Sequence, residues 1–230
     1  MGPPPSRRMT GWGIVRLDRD HPVPQGRFMA RPDFKHEQEA LNRGHVIVCG
    51  IDEAGRGPWA GPVVAAAVIL DARNIPPGLD DSKKLKEHQR EALFGPIMAT
   101  AQVGIAMADV ARIDRDNILA ATLWAMAEAL RQLGDVSLAL VDGNRAPQLP
   151  CAVQTIIGGD AKSLSIAAAS IIAKVTRDRL MIGLDQQFPH YGFARHKGYG
   201  TAAHHGALLV HGPCIHHRQS FKPVAALLPR

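Results

Sequence analysis

Cysteine is scarce. Cys49, Cys151 and Cys214 are far apart, odd in number and never form C-x-x-C, which argues against a disulfide framework or a zinc ribbon and fits a reducing compartment. Long apolar runs are absent too. The longest, Val63 to Leu70, has the length of a strand and falls far short of the ~18 residues of a membrane span. Arg7 and Arg8 stand near the start with no apolar stretch behind them, unlike a secretory signal. There is no Walker sequence. Gly55-Arg-Gly-Pro58 misses G-x-G-x-x-G because Gly61 comes one position late and a strand, not a helix, follows. No internal repeat is present. A soluble protein of the cytoplasm is expected, with no membrane partner.

What the sequence does have is material for one core. Of its 230 residues, 46% are hydrophobic and 21% charged, enough for a globular domain and too apolar for disorder throughout. Lys and Arg number 27 against 21 Asp and Glu, a net charge of +6. That balance favours a polyanionic partner through long-range attraction and counterion release, although many basic proteins bind no nucleic acid.

Residues 1 to 44 contain Pro3, Pro4, Pro5, Pro22, Pro24 and Pro32, eight Lys/Arg and five Asp/Glu, with no sustained apolar period. They read as a mostly disordered basic extension, either a phosphate tether or a solvated terminus, whose removal should leave stability nearly unchanged. Residues 45 to 230 read as the folded domain. Val46 to Ile51 and Val63 to Leu70 are expected strands of a hairpin across a Gly/Pro-rich turn. Lys86 to Met98 is expected as a helix and Ala101 to Ala108 as the third strand. Asn117 can cap a helix in which Leu119, Leu123, Met126, Leu130 and Leu133 recur at helical steps, and Gly134 ends it. Val136 to Val141 and Ala152 to Ile157 are short buried-type strands beside helical sequence, an α/β pattern. Ser163 opens a helix to about Gln187 whose Ala167, Ala168, Ala169, Ser170 and Ala173 permit close packing on a sheet. The last forty residues read as helical pieces and loops.

Asp52 and Glu53 close the first strand, Asp142 closes the fourth, and Asp160 follows the fifth. With the first and fourth strands adjacent, these acids converge at one sheet edge. Turn and helix-cap roles account for them equally well. Consecutive Asp and Glu reach one locus only if the strand frays or bulges, and Gly55 and Gly57 allow that. Carboxylates without Cys or suitably spaced His suit a hard ion, Mg²⁺ or Mn²⁺, over Zn²⁺. Two glycines around Arg56 let backbone approach a ligand such as a sugar, or simply make a turn.

Gly50-Ile-Asp-Glu-Ala-Gly-Arg-Gly-Pro58, Asp81-Ser-Lys-Lys-Leu85, Leu140-Val-Asp-Gly143, Ala167-Ala-Ala-Ser-Ile-Ile-Ala-Lys-Val-Thr-Arg-Asp178 and His196-Lys-Gly-Tyr-Gly-Thr201, in that order, resemble bacterial ribonuclease HII. The resemblance runs from about Val46 to Val224 and implies a ribonuclease H-like fold: a central mixed five-stranded sheet flanked by helices, with a helical C-terminal region. It implies a metal-dependent endoribonuclease that cleaves the RNA strand of RNA–DNA hybrids and cuts 5′ of single ribonucleotides in duplex DNA, with two Mn²⁺ or Mg²⁺ ions. Asp52, Glu53, Asp142 and Asp160 would be its catalytic carboxylates, with Asp52 shared by both ions, Glu53 and Asp142 on the leaving-group ion and Asp160 on the water-activating ion. Gly55, Arg56 and Gly57 would read the 2′-hydroxyl. Tyr199 would stack on the following deoxyribose, while Ser82, Lys83 and Lys197 would contact the duplex. A monomer is expected.

Other acids have local explanations. Asp178 can pair with Lys174 four residues earlier, and Asp80, Asp109, Asp114 and Asp116 precede helices they can cap. His204, His205, His211, Cys214, His216 and His217 match no standard zinc spacing, and His217-Arg-Gln-Ser-Phe221 resembles a family motif suited to packing and phosphate contact. The rival functions are a non-catalytic hybrid-binding protein, against which four intact acids argue, and a DNA nuclease of the same fold superfamily, against which Gly55-Arg-Gly57 with Tyr199 argues.

Overall fold

A computed structural model describes residues 31–228 of the chain. Its centre is a sheet in which two textures of sequence meet. Val48–Ala54 (β1) and Val63–Leu70 (β2) pair antiparallel with Gly50 opposite Val68 and Asp52 opposite Ala66. Ala101–Ala108 (β3) runs antiparallel to β2. Leu138–Asp142 (β4) lies parallel to β1, and Ala152–Ile156 (β5) parallel to β4, giving the order β3-β2-β1-β4-β5. This is the mixed five-stranded sheet expected. β1 runs three residues beyond Ile51, so Asp52 and Glu53 lie inside the β1–β2 ladder.

The helices are Lys35–Asn42 (α1), Glu87–Thr100 (α2), Val110–Asp116 (α3), Ile118–Arg131 (α4), Leu164–Gln187 (α5), Phe193–His196 (α6), Ala202–His211 (α7) and Lys222–Ala225 (α8). β2 is apolar at every position because both its faces are covered. Val63, Ala65 and Ala67 pack with Ala121, Ala125 and Ala129 of α4, while Val64, Ala66 and Val68 pack with Ala168, Ile171, Ile172 and Val175 of α5. Burial of each Val or Ile side chain contributes roughly 1.5–3 kcal/mol. The alanines contribute little area and set the spacing. Gly50 carries this to its limit, since a Cβ there would lie 2.1 Å from the Ser165 carbonyl carbon, and any side chain would lift α5 off the sheet.

Of the expected caps, Asn117, Asp109 and Ser163 are present, while Asp114 and Asp116 lie within α3 and pair elsewhere. Asn117, at φ +68°, accepts at its Oδ1 from the N–H groups of Leu119 and Ala120, Asp109 caps α3, and Ser163 caps α5 through Ile166 N–H. Asp178 is buried and takes the Lys174 ammonium at 2.7 Å, with Arg90 at 3.9 Å. Among the described residues, no helix is long and apolar enough to cross a membrane.

One expectation fails. Residues 1–30 of the supposed irregular extension lie outside the described residues, but Asp33 onward is built into the body. Asp33 bridges Ser163, and α1 sinks Glu37 to 1% exposure. Glu37 Oε1 accepts from the Ser163 hydroxyl at 2.5 Å, the Ser165 hydroxyl at 2.6 Å and the Ser165 N–H at 2.8 Å. The helix is anchored by this buried acid at the start of α5 together with Ala40 and Leu41, which join the Val48, Leu140 and Ile166 cluster, and two apolar residues in eight are too few for periodicity to reveal it. Removing residues 1 to 44 therefore strips partners from α5 and should destabilise the fold. Glu37→Ala isolates the contact: it leaves two hydroxyls and an N–H without their acceptor, a loss of about 1–3 kcal/mol. Thermal unfolding should show roughly 2–4 °C of lowering per kcal/mol, and an unchanged melting temperature would show that α1 contributes nothing to the body.

Candidate active site

The site begins where β1 and β4 stop pairing. The parallel ladder ends at Ile51 opposite Val141, and the next residue on each strand is an aspartate. Alternation along the strands decides where each acid points. Gly50 faces α5, so Asp52 faces α5, while Cys49 and Ile51 belong to the α4-side core. Asp142 follows Leu140 onto the α5 side. Gly159–Ala161, a 3-10 turn just before α5, delivers Asp160 to the same place. One carboxylate oxygen from each of Asp52, Asp142 and Asp160 lies within 4.8 Å of the others.

Glu53 stays outside this triad. β1 does not fray or bulge, Glu53 remains opposite Ala65 in the ladder, and its side chain falls on the α4 side. There it lines a small cavity with Arg56, Thr122, Asp142 and Gly143 and receives Arg56 Nη1 at 3.3 Å. The expected convergence thus holds for three acids, with the fourth on the other face of the strand and near enough to act through its charge.

The electrostatics show what this crowding costs. Asp52 is 3% exposed, and burial, then the charges of Glu53 and Asp142, holds its pKa well above the usual carboxylate range. Burial also raises Glu53, against the pull of Arg56, and Asp142, where the Asp160 charge adds to the rise and the Gly159 N–H, donating to Oδ1 at 2.7 Å, opposes it. A cation already answers this field. Lys83 Nζ lies 2.9 Å from Asp160 Oδ2, and although burial opposes it, the Asp160 and Asp52 charges raise the ammonium above its ordinary value. Lys83 is therefore a partner of the triad, at the end of a side chain 77% exposed. An all-oxygen donor set that draws a positive charge fits a hard divalent ion.

Gly55, Arg56 and Gly57 form the loop that leaves β1. Gly55 sits at φ +99°, where a Cβ would be 2.0 Å from Arg177 Nε. Gly57 faces Tyr199 instead: a Cβ there would stand 3.7 Å from Tyr199 Cε1. Tyr199 itself is 46% exposed, so the ring is presented beside the loop and not packed in the core. Two of the expected duplex contacts are placed differently. Ser82 is buried with its hydroxyl bonded to Ser170 at 2.6 Å, which makes it a support of the Asp81–Leu85 turn. Lys197 adopts φ +50° and tucks its ammonium against the Ala194 carbonyl and 3.8 Å from Glu87.

Two arginines that the sequence places in motifs, without this duty, build the loop. Arg177 and Arg218 are both buried, and their hydrogen-bond partners are carbonyls. Arg177 donates to Ala60, Pro62 and Lys197. Arg218 donates to Gly55, Arg56 and Gly61. Burial pulls them down to about 10 and about 9, the latter helped by the Arg177 charge, and both remain charged at neutral pH. A signal for Arg177 exists in the sequence: it shares the buried helical stripe of Ser170, Ala173 and Met181, an odd place for a charge without a duty.

His204 and His217 bond to each other, Nε2 to Nε2, at 3.0 Å. Asp114 accepts from the N–H groups of Gln219 and Ser220 and from the Ser220 hydroxyl, so His217-Arg-Gln-Ser-Phe221 is held by packing and local bonds.

Comparison with known proteins agrees with this architecture. Residues 49–224 match the family model described as Ribonuclease HII. The chain is 57% identical over 226 residues to a ribonuclease HII of Azorhizobium caulinodans, covering 98% of this chain and 86% of that one. It is 56% identical to that of Magnetococcus marinus, covering 86% and 96%. The ribonuclease H2 of Pyrococcus horikoshii superposes with a TM-score of 0.67 at 28% identity, over 79% of this chain and 97% of that one. With family model, relatives and fold in accord, the chain belongs to the ribonuclease HII family, divalent-metal-dependent endonucleases that hydrolyse the RNA of RNA–DNA hybrids.

Proposed function

We propose that the chain cuts on the 5′ side of a single ribonucleotide embedded in duplex DNA, as well as within RNA–DNA hybrids, leaving 5′-phosphate and 3′-hydroxyl ends. Such cuts would serve ribonucleotide removal during DNA replication and repair. The observation that carries this reading is the juxtaposition of a three-carboxylate cluster with a Gly57–Tyr199 pair at the end of one strand. Asp52, Asp142 and Asp160, with Glu53 from the other face, would hold two divalent ions, Mg²⁺ or Mn²⁺. Ions bound there supply an activated water and relieve charge on the leaving 3′ oxygen.

The chain's own groups do the rest. Asp52, the most buried of the three and under the charges of Glu53, Asp142 and Asp160 alike, is the natural shared ligand. Lys83, long and largely exposed, can release Asp160 and turn to a phosphate. Gly57 leaves exposed backbone open to a 2′-hydroxyl, the group that separates RNA from DNA at one nucleotide, while Gly55 lets the loop close down on Arg177 and so shapes the same reader. Tyr199 offers a ring face to the next sugar, where a deoxyribose fits and a second 2′-hydroxyl crowds it. A net charge of +6 favours the duplex through its phosphates. On this reading the chain works as a monomer in the cytoplasm. The catalytic domain on this reading begins near Asp33 and not at residue 45.

Asp52→Asn removes charge without removing volume. Cleavage should fall by much more than tenfold, the equivalent of ~1.4 kcal/mol of transition-state stabilisation, while duplex binding and the circular dichroism spectrum persist. Retention of a tenth of the activity would deny Asp52 the shared role.

Tyr199→Ala leaves the carboxylates untouched. Its kcat/KM should drop most on a duplex with one ribonucleotide, by the ~1–3 kcal/mol typical of aromatic stacking on nucleic acid, and less on a long hybrid, where the next sugar carries its own 2′-hydroxyl. Equal fractional losses on the two substrates would make Tyr199 merely structural.

A further inference from the structure

Behind Tyr199 lies a cluster of histidines that the carboxylate chemistry does not use. His196, His204 and His217 are all buried, the last two to 0% and 1% exposure. His196 and His204 stack with ring centroids 4.4 Å apart, Trp59 lies 5.6 Å from His204, and Tyr191 meets His217 edge-on at 4.8 Å. Three rings in apolar surroundings with no carboxylate among their hydrogen-bond partners are ordinarily just core. The hydrogen bonds show an order that packing alone does not require.

The proton positions follow from the two ends of a chain. At one end the Cys214 N–H donates to His217 Nδ1 at 2.9 Å. That nitrogen must carry its lone pair, so neutral His217 holds its proton on Nε2. At the other end His204 Nδ1 lies 3.0 Å from the Tyr199 carbonyl oxygen, which can only accept, so His204 holds its proton on Nδ1 and presents a lone pair at Nε2. Between them the two Nε2 atoms stand 3.0 Å apart, a proton on His217 facing a lone pair on His204. Each end independently demands the same arrangement, and every nitrogen is satisfied. Burial lowers both rings to about 4, with the neighbouring histidines adding to the effect on each, so both are neutral under ordinary conditions.

We propose that His217 and His204 are positioning residues for substrate discrimination: a directed hydrogen-bond chain from the Cys214 N–H through both imidazoles to the Tyr199 carbonyl fixes the backbone that presents the Tyr199 ring. The Tyr199 carbonyl also accepts from Thr201 N–H at 2.8 Å, and Thr201 caps α7, which carries His204. The ring is half exposed, so it has no core of its own to hold it, and its orientation comes from the backbone beneath it. The same C-terminal dipeptide serves the other reader, since Arg218, next to His217, donates to the Gly55 and Arg56 carbonyls. One strand-like contact, Ala60 with His217, sets both in register.

The inference rests on Tyr199 contacting the sugar after the ribonucleotide, and the test separates the two. His217→Asn keeps an acceptor near the Nδ1 position and loses the donor to His204. His217→Gln reaches the Nε2 position with an amide donor and loses the acceptor for Cys214. The measured quantity is the ratio of kcat/KM on a single-ribonucleotide duplex to that on a long hybrid. The expected result is a five- to tenfold fall in this ratio for His217→Asn, with His217→Gln staying within twofold of wild type, because the Cys214 N–H serves to fix the His217 tautomer and an amide N–H donates to His204 without that help, as Tyr199→Ala shows the full loss. Equal ratios for the Asn and Gln variants would overturn the chain, because loss of ring packing is common to both. If Tyr199→Ala lowers the ratio and His217→Asn does not, only the positioning role falls. If Tyr199→Ala leaves the ratio unchanged, the contact reading fails and the inference with it. Should the Asn variant not fold, ¹⁵N NMR of the wild-type protein decides: Nδ1–H on His204 with Nε2–H on His217 upholds the chain, and the opposite tautomer of either ring overturns it.

Discussion

Asp52, Asp142 and Asp160 repel one another, and nearly everything around them exists to hold them together regardless. Two parallel strands must end side by side, which requires β1 and β4 to be neighbours, and a tight turn must return Asp160 before α5 begins. A helix this close to the strands requires Gly50 beneath Ser165 and a run of alanines along α5. A carboxyl whose pKa rises on folding costs stability, and the cost grows as pH climbs from its unfolded value toward its raised folded value. Lys83 offsets part of it without an ion.

The second constraint is the reader. A loop that must approach a sugar closely has glycine where side chains would stand, and glycine-rich backbone does not hold its own shape. Arg177 and Arg218 supply the missing rigidity from below, each bonding three carbonyls of loops that meet at the site. Buried guanidinium groups satisfied by carbonyls suit this task, because their planar donors fix several backbone positions at once. With His217 and His204 under Tyr199, the C-terminal segment shapes both the loop that faces the ribose and the ring that faces the next sugar.

Much of this was legible in the sequence. Apolar runs and caps placed most strands and helices within a few residues, and Asp52, Asp142 and Asp160 were recognisable because each stands at or just past the end of an apolar run. What was not legible depends on direction and on distant partners. Strand alternation separates Glu53 from Asp52, a consequence visible only once β1 is known to stay regular through Ala54. Ser82 and Lys197 look like surface residues until Ser170, Ala194 and Glu87 are beside them. Helix α1 has only Ala40 and Leu41 to advertise it, and Glu37 finds its partners about 126 positions away at Ser163. Arg218 is silent for the same reason, bonding carbonyls more than 150 positions earlier.

The claim on which the rest depends is that the crowded acids are a seat for divalent cations. Thermal unfolding of the wild-type protein and of Asp52→Asn, each titrated with Mn²⁺ at neutral pH, tests it without reference to cleavage. Binding to the folded state alone adds about 2.7 kcal/mol at a hundredfold excess over Kd, a rise of roughly 5–10 °C for a chain of this size. The expected result is that rise in the wild-type protein and little or none in Asp52→Asn. An equal rise in both proteins, or none in the wild type, would contradict a metal-holding role for Asp52 and its neighbours.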